Sequence, residues 1–117
     1  MKINAKNTVL SLVLLLTSMG SWAQLSGDLV ESSRLVTDSI SYDMDGTKNG
    51  ILVFDIVVDR DGKVVECVWN RVESTVNSRV SSYEAKNRIL MGLRFSKDNT
   101  YPPTQTGRVT INVTIRE

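Results

Sequence analysis

The feature that most limits how this chain folds is the sequence Gly-Ile-Leu-Val-Phe-Asp-Ile-Val-Val-Asp at residues 50–59. It is rich in β-branched and aromatic residues, is bounded by turn formers and is too short for a typical helix, so it predicts a strand. Apolar residues occur on both faces, which is typical of a strand in the middle of a sheet. The face that we expect to line the core carries Leu52, Phe54, Ile56 and Val58.

The segment after this strand predicts a hairpin. Asp-Arg-Asp-Gly at residues 59–62 has the composition of a tight turn, with glycine where a left-handed backbone is needed. The chain then returns as a second strand over residues 63–73. Cys67 and Trp69 leave the alternation that Val64 begins, so we expect a β-bulge just after Val64. Cys67 should then be buried on the core-facing side of the sheet.

A helix and a third strand follow. Ser81-Ser82-Tyr83-Glu84 has the spacing of a capping box, which predicts that the helix begins there. Its apolar face carries Ala85, Ile89, Gly92 and Leu93. Residues 97–107 contain two adjacent prolines and predict a connector. Residues 108–116 alternate strictly between apolar and polar side chains, which indicates a strand.

The order strand, strand, helix, strand predicts an α+β fold of the split βαβ kind. We expect a three-stranded antiparallel sheet in the spatial order second, first, last, with one helix packed on a face. In this arrangement the last strand lies at the sheet edge. Residues 24–49 form a poorly defined lead-in, with a possible short N-terminal helix at about residues 28–37.

The first residues predict export. Lys2 and Lys6 give a positive start, residues 9–16 are an apolar run broken by one serine, and Ser21-Trp22-Ala23 offers the small residues of a cleavage site. The apolar stretch is shorter than the ~20 residues of a membrane-spanning helix. We therefore expect a signal peptide at residues 1–23 and one domain at residues 24–117. That domain should be in the periplasm or secreted, with no membrane insertion after signal cleavage.

Composition excludes several classes of function. With 14 basic and 13 acidic side chains, the chain lacks the positive excess that holds nucleic acid. It has no histidine, the commonest general base and a common haem or zinc ligand, and a single cysteine, Cys67. The two Asp-x-Asp-Gly sequences, at residues 43–46 and 59–62, lack the other ligands of a calcium loop and predict turns. We expect no enzyme, no cofactor, no metal site and no nucleic-acid partner.

Three segments of the chain carry a family resemblance. They are residues 50–66, which end in Asp-Arg-Asp-Gly-Lys-Val-Val-Glu, the helix that closes on Arg94-Phe95, and Gly-Arg-Val-Thr-Ile-Asn-Val at residues 107–113. In this order and spacing they resemble the C-terminal domain of the energy-transducing TonB proteins, over residues 46–115. The resemblance implies a periplasmic module of a Gram-negative bacterium that binds extended segments of outer-membrane transporters by strand addition. Because the membrane anchor and Pro-rich linker of that family have no counterpart here, we expect a free-standing adaptor or binding module.

The last strand is the candidate binding site. An edge strand offers free backbone N–H and C=O groups, and no proline or inward-pointing charge protects this one. An extended segment of a cell-envelope protein could add to it through backbone hydrogen bonds. The predicted partner-binding residues are Val109, Thr110, Ile111, Asn112, Val113 and Thr114. Two alternatives stay open: a secreted inhibitor that uses the same sheet against a protease, and a structural homodimer whose edge strands pair.

Overall fold

The computed structural model describes residues 24–32 and 34–115, and within them it contains seven strands and two helices. In chain order they are β1 (Leu25–Ser26), α1 (Asp28–Glu31), β2 (Val36–Asp38), β3 (Asp43–Gly46), β4 (Gly50–Asp59), β5 (Val64–Asn70), α2 (Arg79–Gly92), β6 (Arg94–Phe95) and β7 (Thr104–Ile115). The predicted signal peptide at residues 1–23 lies outside the described residues. Within the described ranges, no helix is long and apolar enough to cross a membrane.

The predicted α+β class is confirmed, and β4 lies in the middle of the main sheet as its two apolar faces indicated. β4 pairs antiparallel with β5 on one side and with β7 on the other. The sheet nevertheless has five strands in place of the expected three, because β1 and β3 both pair with β7. A second, two-stranded sheet joins β2 to β6.

The prediction that β7 lies at the sheet edge is wrong. β1 pairs antiparallel with it, bringing Leu25 opposite Val109, and β3 pairs parallel with it, from Asp43 opposite Asn112 to Gly46 opposite Ile115. β7 is therefore inserted between β3 and β4, which are consecutive in the chain. β7 is also longer than expected and begins at Thr104, inside the predicted connector.

The core lies between one face of the sheet and α2, and the predicted phase of β4 is confirmed. Its side chains at Leu52, Phe54, Ile56 and Val58 are at most 1% exposed. α2 covers them with Ala85 and Ile89, and Leu93 follows as its C-cap; all three side chains are fully buried. Each fully buried large apolar side chain contributes about 1.5–3 kcal/mol. This packing of apolar side chains holds the helix on the sheet.

The bulge and the turn of the β4–β5 hairpin agree with the sequence. Glu66 pairs with Val57 and Val64 with Val58, so Val65 is the extra residue of a bulge. Gly62 has φ 88°, and its N–H donates to the carbonyl of Asp59 at 3.1 Å. Left-handed backbone of this kind favours glycine.

Three local predictions need correction. The lead-in helix ends at Glu31, and residues 36–38 form β2, because the Val36 backbone pairs with Phe95. Asp43–Gly46 is not a turn but strand β3, in which Met44 is buried between exposed neighbours. α2 begins before the predicted capping box, since Ser78 is its N-cap and the Ser78 hydroxyl accepts a hydrogen bond from the Ser81 N–H at 3.2 Å.

A buried arginine joins the lead-in to the rest of the domain. Arg34 is 5% exposed, and its guanidinium donates four hydrogen bonds and lies 4.3 Å from the centre of the Tyr101 ring. The acceptors are the carbonyls of Ser96 (2.9 Å), Asp59 (2.7 Å) and Arg60 (3.1 Å) and the side-chain oxygen of Gln105 (3.0 Å). Three segments distant in the sequence are thereby held together by one side chain.

Candidate functional site

The longest uncovered edge of the main sheet is the outer side of β5, because the opposite edge consists of the two-residue β1 and the four-residue β3. Within the described residues, β5 pairs only with β4. At its start Lys63 forms a bridge with Arg94, so that end is covered. Residues 65–70 therefore present an uncovered edge, which we call the β5 edge.

The direction of the backbone groups along the β5 edge follows from β4. The N–H groups of Ile51, Val53 and Asp59 all point to the β5 side, where they donate to Thr75 Oγ1 (2.8 Å), Ser74 Oγ (2.8 Å) and the Lys63 carbonyl (2.9 Å). Because backbone groups alternate along a strand, Asp55 and Val57 point the same way, toward their partners Val68 and Glu66.

The residues between those partners in β5 therefore point outward. These are Cys67 and Trp69, whose N–H and C=O groups face away from β4 and have no hydrogen-bond partner within the described residues. Two residues separated by one position are the spacing at which an added antiparallel strand makes paired hydrogen bonds. The edge has no proline to block such pairing.

A groove borders the β5 edge on the side of the sheet that α2 covers. It encloses about 320 Å³ and is lined by Trp69, Arg71, Arg79, Ser82, Tyr83 and Lys86, which we call the β5–α2 groove. The residues come from the end of β5 and the first two turns of α2. The wall thus combines two aromatic rings with three cations, and none of its lining residues is acidic.

The aromatic wall of the β5–α2 groove is held in place by polar contacts. The Trp69 indole N–H donates to Ser74 Oγ at 3.1 Å, and the Arg71 guanidinium lies 5.0 Å from the centre of the Trp69 ring. Arg71 also donates to Asn77 Oδ1 at 3.0 Å. An indole fixed in this way forms a preorganised surface against which a bound side chain can pack.

Cys67 takes part in the edge through its backbone and not through its thiol. Its side chain is 4% exposed and belongs to the core cluster that contains Leu52, Phe54 and Ile111, which confirms the predicted burial. Burial raises the pKa of the Cys67 thiol to about 12, and the nearby charge of Lys86 acts in the opposite direction. A thiol with so high a pKa is a poor nucleophile at neutral pH.

A second concavity lies on the opposite face of the sheet, which α2 does not cover. Its lining includes the apolar Val57 and Val68 and the charged Glu66, Asp55 and Arg108. Asp55 and Arg108 are paired, since Arg108 Nε lies 3.1 Å from Asp55 Oδ1, and Asn70 Nδ2 donates to Asp55 Oδ2 at 3.0 Å. No group of three or more metal-ligating side chains occurs among the residues that the structure describes.

The residues predicted as the binding site do not form an accessible edge. Of these, Val109, Ile111 and Val113 are buried in the core, Thr110 and Asn112 are half-buried and Thr114 is exposed. The Asn112 N–H donates to the Tyr42 carbonyl at 2.7 Å, where a bound peptide would have to pair. β1 and β3 together leave only Thr110 and Ile111 uncovered between them, which is too short a stretch for an added strand.

Sequence reasoning missed the β5 edge although the predicted strand order contained it. The predicted order second, first, last leaves two edge strands, β5 and β7. The regular alternation of apolar and polar residues in β7 favoured β7 as the binding edge. The sequence signal for β5 was the pair Val65 and Val68. Because of the bulge, these apolar side chains do not point into the core, and they are 51% and 50% exposed.

Comparison with known proteins does not identify this chain. No family model, no curated protein and no solved structure matches it. A function must therefore be inferred from the geometry of the chain itself.

Proposed function

We propose that this chain is a protein-binding module that takes up an extended segment of a partner by strand addition at the β5 edge. The observation that carries the proposal is the pair of outward-facing backbone groups at Cys67 and Trp69, in a sheet whose other edge consists only of the short strands β1 and β3. In strand addition, backbone hydrogen bonds supply affinity and the neighbouring side chains supply selectivity.

The sequence resemblance to the C-terminal domain of the TonB proteins supports the same class of function. With the predicted signal peptide, it makes the partner an extended segment of a periplasmic or outer-membrane protein, such as the N-terminal segment of a transporter. Because β1 and β3 pair with β7, we propose residues 65–70 as the binding edge in place of residues 109–114, where we expected it.

Amide NMR on the purified protein tests the proposal. Peptides from the N-terminal segments of envelope transporters should shift the Cys67 and Trp69 amides and slow their hydrogen exchange, because both N–H groups gain an acceptor. N-methylation of alternate peptide residues provides the matched control. One set of methylated positions should abolish binding and the other should leave it unchanged, because only every second peptide N–H faces β5.

The two alternatives predict different results. A homodimer through the β5 edge would show twice the mass in solution and protected Cys67 and Trp69 amides without any peptide. An inhibitor would bind a folded protease and respond to no extended peptide. Either result, or peptide-induced shifts confined to the outer face of α2, would refute strand addition.

A further inference from the structure

Two cations in the β5–α2 groove have no partner of their own. Arg79 and Lys86 are exposed, and neither the Arg79 guanidinium nor the Lys86 ammonium makes a hydrogen bond or an ion pair within the described ranges. Arg71, the third cation, stacks on Trp69 at the end of the groove. No acidic side chain lines the β5–α2 groove to balance the positive charge of these cations. On the opposite face of the sheet, by contrast, Arg108 is paired with Asp55.

A strand added to the β5 edge would direct its side chains alternately to the two faces of the sheet, the α2 side with the β5–α2 groove and the opposite face. Side chains on neighbouring strands share a face where they lie opposite each other. A residue on the α2 side would lie beside Trp69 and within the β5–α2 groove. The residues before and after it would lie on the other face, beside Val68 and Asn70, and the next residue along that face would lie beside Glu66.

We propose, building on strand addition at the β5 edge, that the bound segment is acidic at alternate positions. Its carboxylates lie on the α2 side, where Arg79 and Lys86 pair with them and the Trp69 and Tyr83 rings pack against their aliphatic stems. The intervening residues are neutral or apolar, because Val68 offers an apolar contact and Glu66 repels a second carboxylate on that face.

Three ten-residue peptides test the inference: valine alternating with glutamate, with glutamine or with lysine. The glutamate peptide should bind most tightly and should protect the Cys67 and Trp69 amides. The glutamine peptide should protect the same amides at about tenfold weaker affinity, since each exposed ion pair contributes a modest factor. Raising the salt concentration should weaken binding of the glutamate peptide only.

Variants of the groove supply the second measurement. Arg79→Gln combined with Lys86→Gln should weaken the glutamate peptide about tenfold and leave the glutamine peptide unchanged. The matched control is Lys48→Gln combined with Lys97→Gln, which removes the same charge from exposed sites outside the groove. It should leave both affinities unchanged.

The outcomes separate this inference from the function on which it rests. Equal binding of the glutamate and glutamine peptides, with Cys67 and Trp69 protected by both, would overturn the acidic preference and leave strand addition standing. Failure of every peptide to protect those amides would overturn both. A ten-residue oligothymidylate that binds as tightly as the glutamate peptide would identify a general polyanion site and overturn the peptide assignment.

Discussion

Replacement of Arg34 by methionine should destabilise the domain strongly. Methionine keeps the unbranched aliphatic part of the side chain and removes the guanidinium. The loss of stability therefore reports the polar contacts of the guanidinium and not the packing of the aliphatic stem. Arg34 has no carboxylate partner within the part of the chain that the structure describes, and its charge is met by neutral oxygens and by the Tyr101 ring.

The magnitude follows from the oxygens that lose their donor. The Asp59 carbonyl keeps a second donor, the Gly62 N–H at 3.1 Å, and loses little. The Ser96 and Arg60 carbonyls and the Gln105 side-chain oxygen lose the Arg34 donor. An orphaned, partly buried acceptor costs about 1 kcal/mol or more, so the loss should be about 2–3 kcal/mol.

Urea denaturation followed by tryptophan fluorescence measures this loss. The midpoint should fall while the slope of the unfolding free energy against urea stays constant, because the folded surface is unchanged. For a domain of this size, the melting temperature should drop by about 10–20 °C.

Arg88→Met is the matched control. Arg88 also donates to two backbone carbonyls, those of Ser41 at 3.0 Å and Asp43 at 2.8 Å, but both acceptors belong to exposed residues, so water can replace the lost donor. It should cost about 1 kcal/mol or less. Equal losses for Arg34→Met and Arg88→Met would refute the reasoning, because burial of the acceptors would then make no difference.

Three further predictions concern the hairpin, the helix and the core. Gly62→Ala should cost about 2–4 kcal/mol in urea denaturation, because φ is 88° and the new Cβ would collide with the Phe95 carbonyl; a loss within about 0.5 kcal/mol would contradict the turn geometry. Ser78→Ala should cost about 1 kcal/mol by removing the N-cap of α2, and an unchanged melting temperature would reject Ser78 as the cap. Cys67 should resist thiol reagents in the native state, and stability should fall as the pH rises from about 9 toward 12, because the unfolded thiol ionises first. The Cys67→Ala variant should not show this loss of stability at high pH. Rapid stoichiometric labelling of the native protein would show that the Cys67 thiol is accessible and contradict the prediction.

Much of the fold was predictable from local patterns. The apolar run of β4, the turn at Gly62, the bulge after Val64 and the alternation of β7 are each visible within about ten residues of sequence. The burial of Cys67 followed from the phase of its strand. Such features are local because they depend on side-chain period and on the backbone preferences of single residues.

The short strands were a different case. β3 did have a local signal, since Ile40, Tyr42 and Met44 alternate with polar residues and all three pack on the core, but the Asp-Gly sequence at its end indicated a turn. β1 consists of two residues and has no such signal. Both strands exist because β7 offers them unpaired backbone groups, and that pairing joins residues more than sixty positions apart.

The sequence by itself therefore determined the central strands, the helix and the side of the sheet that faces the core. Only the tertiary structure decided that β5 is an edge strand and β7 is not, because an edge strand is defined by the absence of a neighbouring strand and no local pattern records that absence. It also brought Trp69 at the end of β5 together with Arg79 and Lys86 of α2 in one groove. Charges that look scattered in the sequence become a single surface there because α2 packs across β5.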